Sequence, residues 1–203
     1  MRVEEWIGKE NQLGIDIWKG KYQYEGETFE EWIERVSNGN KEIAELIRNK
    51  RFLFGGRILA NRGLDERGKK VTYSNCYVLP QVGDSIEDIY KNCSDLERTF
   101  SYGGGVGIDI SKLRPKDSFV NNTARKTSGA CSFMDTFSQV TETIGQNGRR
   151  GALMISIDCT HPELLDFIEI KNDLDRVTKA NISVRVTDDF MRAVIEDRDW
   201  ELY

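Results

Sequence analysis

The pattern of hydrophobic and polar positions divides the chain into a helical beginning and an alternating remainder. Residues 29–36 carry an apolar stripe at helical spacing, and residues 43–47 carry a second one. Glycine-rich and polar residues then continue to residue 70 without such a pattern, which indicates a loop. The sequence therefore predicts an N-terminal helical region and loop over residues 1–70.

From residue 71 the pattern alternates between strands and helices. The predicted strands cover residues 71–79, 105–110, 153–159 and 182–186, and the predicted helices cover residues 84–101, 132–144, 162–170 and 189–195. Such alternation is typical of an α/β fold with a mainly parallel sheet and helical crossovers. Residues 71–203 are therefore predicted to form one α/β domain. Four parallel strands do not close a barrel, so we expect the sheet to continue on further polypeptide, with residues 200–203 entering another strand or turn.

Composition and charge narrow the class of protein. With 38% hydrophobic residues, 31% charged residues and three prolines, the chain is expected to fold as a globule. A formal net charge of -5 and a pI of about 5.2 disfavour nonspecific binding to nucleic acid, which needs a basic excess. The first residues lack the basic and apolar segments of a signal peptide. We therefore predict a cytoplasmic protein without nucleic-acid or membrane partners.

The cysteines and the single histidine give little sign of chemistry when each is judged alone. The cysteines form no CxxC pair, which disfavours zinc-ribbon and thioredoxin-type sites, so no metal site is predicted; they are Cys76, Cys93, Cys131 and Cys159. Each is interpreted as a small buried residue, although Cys131 lies near a helix start, where the helix dipole could lower its thiol pKa. His161 lies in residues 160–163, which are interpreted as a capping box that opens a helix.

Two glycine-containing segments allow a functional and a structural interpretation. Residues 102–108 run from a helix into a strand, whereas a dinucleotide-binding fingerprint runs from a strand into a helix, so an unrelated Rossmann-like oxidoreductase is disfavoured. The glycines fit either a helix C-cap with a tight turn or a ligand that lies against the backbone. Residues 146–151 contain two arginines and fit either a solvated connector or a loop that binds phosphate or a base edge.

Considered together, five separated motifs occur in a specific order and spacing. They are residues 74–79, residues 83–86, residues 103–108, residues 146–154, and His161-Pro162 with Phe167-Ile168. This set resembles the catalytic subunit of ribonucleotide reductase over roughly residues 20–203, and the Asn-Gly-Arg-Arg-Gly-Ala loop is most similar to the class II, adenosylcobalamin-dependent branch. The resemblance implies the first half of a ten-stranded α/β barrel made of two five-stranded parallel halves.

The same resemblance implies an active site. Cys76 takes the position of one of two cysteines that reduce the ribose of a ribonucleotide and leave as a disulfide. The implied substrate-binding residues are Ser74, Asn75, Gly105 and Arg150. Adenosylcobalamin is the implied cofactor, with most of its contacts outside this chain.

A regulatory site is also implied, at which a deoxynucleoside triphosphate (dNTP) effector selects the base that is reduced. Asp84, Ser85 and Ile86 would contact the effector's sugar and base, and Arg114 with the loop after it would hold the phosphates. A second loop would pass the effector's identity to the substrate, through Gln146, Asn147, Gly148 and Arg149. The helices at residues 84–101 and 132–144 would pair with those of a second copy in a four-helix bundle, which implies a homodimer.

The chain also departs from the family pattern. The family carries its radical-bearing cysteine and its acid/base glutamate in an Asn-x-Cys-x-Glu motif, and this sequence contains no such motif. The second reducing cysteine and the C-terminal thiol relay are missing as well. We therefore expect a C-terminal reductase half or fragment as a partner and no turnover by this chain alone. The alternative is a non-catalytic deoxynucleotide-binding or dimerisation module derived from the reductase.

Overall fold

A computed structural model describes residues 1–143, 145–146 and 149–203, with the backbone alone at 145–146 and 149–150. The chain divides into two compact units, Met1–Asn75 and Cys76–Tyr203. Across these described residues, no helix has the length and apolar character needed to cross a membrane.

The first unit is built from short helices. In chain order they are α1 (Val3–Ile7), α2 (Gln12–Ile17), a π-helical turn (Trp18–Tyr22), α3 (Phe29–Ser37), α4 (Lys41–Arg48) and α5 (Gly56–Asn61). The apolar stripe of α3 faces the core of this unit, where the Phe29 and Trp32 rings stack with their centroids 5.3 Å apart and Trp18 meets Phe29 edge-on. Thr28 and Glu31 form the capping box that starts α3.

A buried ion pair joins several segments of the first unit. The side chains of Arg35 and Glu27 are only 3% and 6% exposed, and the Arg35 Nη2 donates to Glu27 Oε1 at 2.6 Å. The same guanidinium donates to the backbone carbonyls of Arg62 at 2.6 Å and Tyr22 at 3.1 Å. Arg35 therefore ties α3 to the π-helical turn and to the segment that follows α5.

The second unit is an α/β layer. Its elements are β1 (Cys76–Val78), α6 (Ile86–Ser101), β2 (Gly105–Asp109), α7 (Ala130–Thr143), β3 (Gly145–Gln146), β4 (Arg149–Arg150), β5 (Leu153–Asp158), α8 (Leu164–Glu169), a 3-10 turn (Ile170–Asn172), β6 (Ala180–Arg185) and α9 (Asp188–Ile195). Four strands form a parallel sheet in the order β1-β2-β5-β6, while β3 and β4 form a separate antiparallel pair. The predicted parallel α/β fold is thereby confirmed.

One face of the sheet is buried and the other is open. Successive side chains of a strand point to opposite faces, so the apolar residues of β2 and β5 lie on one side, where Ile108 and Ile155 are almost fully buried. Phe100 of α6, Phe137 of α7 and Phe167 of α8 belong to the same core. The helices of this unit therefore cover one face of the sheet and leave the opposite face uncovered.

Some local predictions were wrong. The strand predicted over residues 71–79 is limited to Cys76–Val78. Residues 200–203 form no strand; instead the Trp200 indole donates to the Cys159 carbonyl at 2.9 Å, and the Tyr203 N–H donates to the Thr160 carbonyl at 2.8 Å. These contacts hold the last residues of the chain against the end of β5.

The capping box predicted at residues 160–163 is also wrong. The Thr160 hydroxyl donates to Asp158 Oδ1 at 3.1 Å, and α8 begins at Leu164 without a side-chain cap. Glu163 instead caps a different helix, because its Oε2 accepts from the N–H groups of Ala130 at 2.5 Å and Cys131 at 3.3 Å. A carboxylate at this position satisfies orphan donors of α7 and complements its dipole.

Gly129, directly before α7, occupies a place that no other residue fits. Its φ is +92°, and a Cβ atom there would overlap the Glu163 carboxylate and lie 2.7 Å from the Lys116 backbone nitrogen. The cap on α7 therefore depends on the absence of a side chain at residue 129.

We expect Gly129→Ala to lower the free energy of unfolding by about 3 kcal/mol, because it adds backbone strain and displaces a buried cap. Urea unfolding followed by circular dichroism measures the loss. Gly68→Ala is the matched control, since Gly68 has a φ of +74° but open space around the Cβ position. Equal losses in the two variants would contradict the role of the Glu163 contact.

Candidate functional site

Cys76 is the exposed thiol of the chain. It begins β1 in register with Gly105, the first residue of β2, whereas the other three cysteines are buried. The interpretation of Cys76 as a small buried residue is therefore wrong. A thiol beside a glycine at the start of two adjacent strands leaves room for a ligand to lie against the backbone.

The buried cysteines are poor nucleophiles. Burial raises the pKa of Cys93 to about 11 and the pKa of Cys131 to about 12, and nearby Glu163 adds to the effect at Cys131. The helix dipole does not lower the thiol pKa of Cys131, because burial outweighs it. The structural interpretation of these two residues is thus correct.

Three of the four glycines in residues 102–108 have distinct structural roles. Gly103, with a φ of +84°, ends α6, and the N–H groups of Gly103 and Gly104 donate to the carbonyls of Phe100 and Thr99 in a Schellman motif. A Cβ at Gly104 would lie 2.7 Å from the Tyr77 ring. The C-cap interpretation therefore holds for the first glycine, while Gly105 stands beside Cys76.

The open face of the sheet carries mostly small and polar side chains, together with the apolar side chains of Val78 and Met154. Strand alternation and register place the following residues there: Cys76, Val78, Gly105, Gly107, Asp109, Met154, Ser156, Asp158, Asn181, Ser183 and Arg185. Parallel sheets are normally covered on both faces, so a polar uncovered face indicates a surface that works with a ligand or further polypeptide.

Three strands meet in an ion cluster at the other end of this face. The Arg185 guanidinium lies 2.8 Å from Asp109 Oδ2 and 2.8 Å from Asp158 Oδ2, and the Gln81 amide donates to Asp109 Oδ1. Partial burial by itself raises the pKa of Asp158, but the Arg185 and Thr160 hydrogen bonds outweigh it and hold the pKa below its usual value. No local sequence pattern indicated this cluster, although the alternation of β2, β5 and β6 predicts the shared face.

Ser74 and Asn75 precede the strand and belong to the first unit. Both are exposed; the Asn75 Oδ1 accepts from Arg57 Nε at 3.3 Å, and the Ser74 N–H donates to the Thr72 hydroxyl at 3.2 Å. Arg57 lies 18 residues earlier in the chain than Asn75, so no local sequence pattern indicated this contact.

Four of the predicted effector residues lie together in the second unit. Arg114 Nε is 2.6 Å from Asp84 Oδ2, and the Arg114 backbone N–H donates to Asp84 Oδ1 at 3.1 Å. Ser85 is the N-cap of α6 and accepts from the Asp88 N–H, and the neighbouring Ile86 is 54% exposed. This arrangement combines a basic group, a carboxylate, a hydroxyl and an apolar side chain within one small surface.

The second predicted loop lies elsewhere. The backbone of β3 pairs antiparallel with β4, with Gln146 opposite Arg149 and Gly145 opposite Arg150, while Asn147 and Gly148 lie outside the described residues. The strand β3 contacts α6, and the Cβ position of Gly151 lies 3.0 Å from the Phe100 ring near the end of that helix. Ile86 and Phe100 are about 20 Å apart along α6. Within one chain, the described backbone of this loop therefore lies near the end of α6 that is remote from Asp84.

The motifs and the fold agree with comparisons to known proteins. The family model described as "Ribonucleotide reductase, barrel domain" matches residues 74–203, from the segment before β1 to the end of the chain. This chain belongs to the ribonucleotide reductase family. Its open-faced parallel sheet is therefore part of a reductase barrel domain.

The relatives include vitamin B12-dependent ribonucleoside-diphosphate reductases. This reductase chain is 36% identical to the one from Thermoplasma acidophilum over 95% of its own length and 26% of the relative's length. It is 34% identical to the one from Mycobacterium tuberculosis over 85% of its own length and 23% of the relative's length. The chain thus spans about a quarter of the length of these relatives.

A solved structure has a similar fold. The class Id ribonucleotide reductase alpha subunit of Actinobacillus ureae superposes with a TM-score of 0.73, at 22% identity, over 95% of this reductase chain and 36% of that chain. The similarity covers residues of both units of the present chain, so the fold of each unit is similar to a part of that subunit.

Proposed function

We propose that this chain contributes one reducing thiol, Cys76, to the conversion of ribonucleotides to 2′-deoxyribonucleotides. The observation that carries the proposal is the exposed Cys76 in register with Gly105 on an uncovered polar sheet face. That exposure favours a catalytic chain over a non-catalytic binding module, which has no need of an accessible thiol here. The test is formation of deoxyribonucleotide by a reductase that contains this segment, with and without Cys76.

The substrate is expected to lie over the start of β1 and β2. Gly105 has no side chain to obstruct a ribose next to the Cys76 thiol. We assign Ser74, Asn75 and Arg150 to the same substrate by resemblance to the family. In this proposal the first half of a ten-stranded barrel is present, and a C-terminal reductase half supplies the second reducing cysteine and the radical cysteine.

Adenosylcobalamin is the proposed cofactor, since the B12-dependent relatives are named for it. The chain contains one histidine, His161, which is buried with both ring nitrogens in hydrogen bonds, so the chain has no imidazole to offer a cobalt ion. Among the described residues no group of three or more His, Cys, Asp or Glu side chains could hold a metal. By resemblance to the family, most contacts of this cofactor are assigned to the rest of the reductase.

A dNTP effector is proposed for the surface formed by Asp84, Ser85, Ile86 and Arg114. The guanidinium of Arg114 suits a phosphate, and the exposed Ile86 suits a base. The loop of Gln146, Asn147, Gly148 and Arg149 is assigned to the same effector in a homodimer. Ile86 and Tyr90 are 54% and 58% exposed on the outer side of α6, which supports a helix-to-helix contact between two copies.

Arg114→Ala is expected to weaken dTTP binding by about 10- to 100-fold, because one charge-assisted phosphate contact contributes about 1.5–3 kcal/mol. Isothermal titration calorimetry with dTTP, dATP and dGTP measures the affinities. Arg192→Ala, which removes an exposed arginine from α9, is the matched control and should bind like the wild type. If the folded wild-type chain binds none of the three nucleotides, the effector assignment fails.

A further inference from the structure

The peptide group that joins Leu113 to Arg114 is held from both sides. Its carbonyl oxygen lies 2.8 Å from His161 Nε2, and its N–H donates to Asp84 Oδ1 at 3.1 Å. Leu113 and His161 are buried, whereas Asp84 lies on the surface. The orientation of this one peptide group is therefore determined by two side chains, a buried imidazole that binds its carbonyl oxygen and a surface carboxylate that binds its N–H.

The hydrogen bonds of His161 determine its tautomer. The Glu163 N–H donates to His161 Nδ1 at 3.0 Å, so Nδ1 acts as an acceptor and carries no hydrogen. The Leu113 carbonyl can only accept, so Nε2 carries the hydrogen and donates it. Both ring nitrogens of a 5% exposed side chain are thus satisfied in one neutral form.

Glu163 extends this connection to α7. Its backbone N–H binds His161, while its carboxylate accepts from the N–H groups of Ala130 and Cys131. Gly129 fits between that carboxylate and the backbone of Lys116 in the loop after Arg114. The helix α7 then ends at Thr143, and the chain continues into β3 and β4. We call Leu113, His161, Glu163 and the start of α7 the His161 cluster.

We infer that His161 is a positioning residue of the effector site. Both the backbone N–H and the Nε of Arg114 bind the carboxylate of Asp84, so a rotated Leu113–Arg114 peptide group would lose one of these bonds and redirect the guanidinium. The His161 cluster holds that peptide group and joins it to α7, the helix that precedes the second loop. This inference rests on the proposed effector site, and it assigns to His161 the coupling between the loop at residues 111–127 and α7.

Two amide variants of different length separate this role from general stabilisation. His161→Gln places an amide nitrogen near the Nε2 position and can still donate to Leu113, whereas His161→Asn reaches only the Nδ1 position. Amide hydrogen exchange of the ligand-free chain is expected to rise about tenfold or more in residues 111–127 of His161→Asn, which loses the donor to the Leu113 carbonyl. Exchange at Ala130 and Cys131 is expected to rise in His161→Gln, which loses the acceptor for the Glu163 N–H. The glutamine variant is expected to restore most of the protection in residues 111–127.

A core variant controls for global destabilisation. Ile47→Val removes one methyl group from the core of the first unit, a core that contains none of the residues in the His161 cluster, and it should not raise exchange selectively in residues 111–127. Exchange that rises only at residues 160–163 of His161→Asn would overturn the inference. Calorimetry with dTTP should show about tenfold weaker binding for the asparagine variant than for the glutamine variant. If the wild type binds no dTTP, the effector proposal fails, while the exchange result still decides whether His161 couples the loop to α7.

Discussion

Cys76→Ser is expected to abolish the fast reaction of the native chain with Ellman's reagent at about pH 8. The thiolate is the reacting species, and Cys76 is the exposed thiol. With pKa values of about 11 and about 12, Cys93 and Cys131 are ionised only to roughly one part in 10³ and 10⁴ at that pH, and both are buried. Cys159 is fully buried. The wild type should therefore release one equivalent of chromophore in the fast phase.

Absorbance after mixing measures this reaction, and denaturant should raise the total to four thiols in the wild type. Cys93→Ser is the control and should keep the fast phase. A fast phase that persists in Cys76→Ser would contradict the assignment of the accessible thiol. In a reductase that contains this segment, Cys76→Ser is expected to remove dithiol-dependent turnover while dTTP binding stays at the wild-type value, because Cys76 is not part of the effector surface.

Arg35→Ala is expected to cost the first unit about 3–5 kcal/mol, since it leaves the buried Glu27 carboxylate without its partner. The variant also leaves the carbonyls of Tyr22 and Arg62 without donors. Urea unfolding followed by tryptophan fluorescence reports on this unit, because Trp32 lies in its core.

The control for this prediction is Arg48→Ala. Arg48 and Glu30 form an ion pair at 2.9 Å whose side chains are 34% and 41% exposed, so its loss should cost less than about 1 kcal/mol. Replacing the buried pair together, as Glu27→Leu with Arg35→Met, should recover much of the lost stability, because no unpaired charge stays buried. Equal losses for Arg35→Ala and Arg48→Ala would contradict the importance of burial.

The local pattern of the sequence was sufficient for the elements that depend on near neighbours. Strand and helix alternation from residue 71 onward predicted the parallel sheet, because period-2 and period-3.6 patterns are local properties. The glycine order in residues 102–108 correctly excluded a dinucleotide-binding turn, and Gly103 does end α6. The short β1 was overpredicted, since residues 71–75 have strand-like composition but no partner strand in the sheet.

The site residues were harder to predict because their partners are distant in the sequence. Judged locally, Cys76 looked like a core residue, and its exposure follows from the face of the sheet to which β1 directs it. Glu163 looked like part of a local capping box, yet it caps a helix that starts 33 residues earlier. Arg185 meets Asp109 and Asp158 only because β6 and β2 lie on either side of β5.

By itself, the sequence determined the alternation of elements, the parallel fold and, through five motifs in order, membership in the reductase family. The tertiary structure decided which thiol is accessible, which carboxylate caps α7 and which peptide group His161 holds. The physical reason is that periodicity and capping depend on residues within a few positions. Burial, ion pairing and strand register depend on segments that only the folded chain brings together.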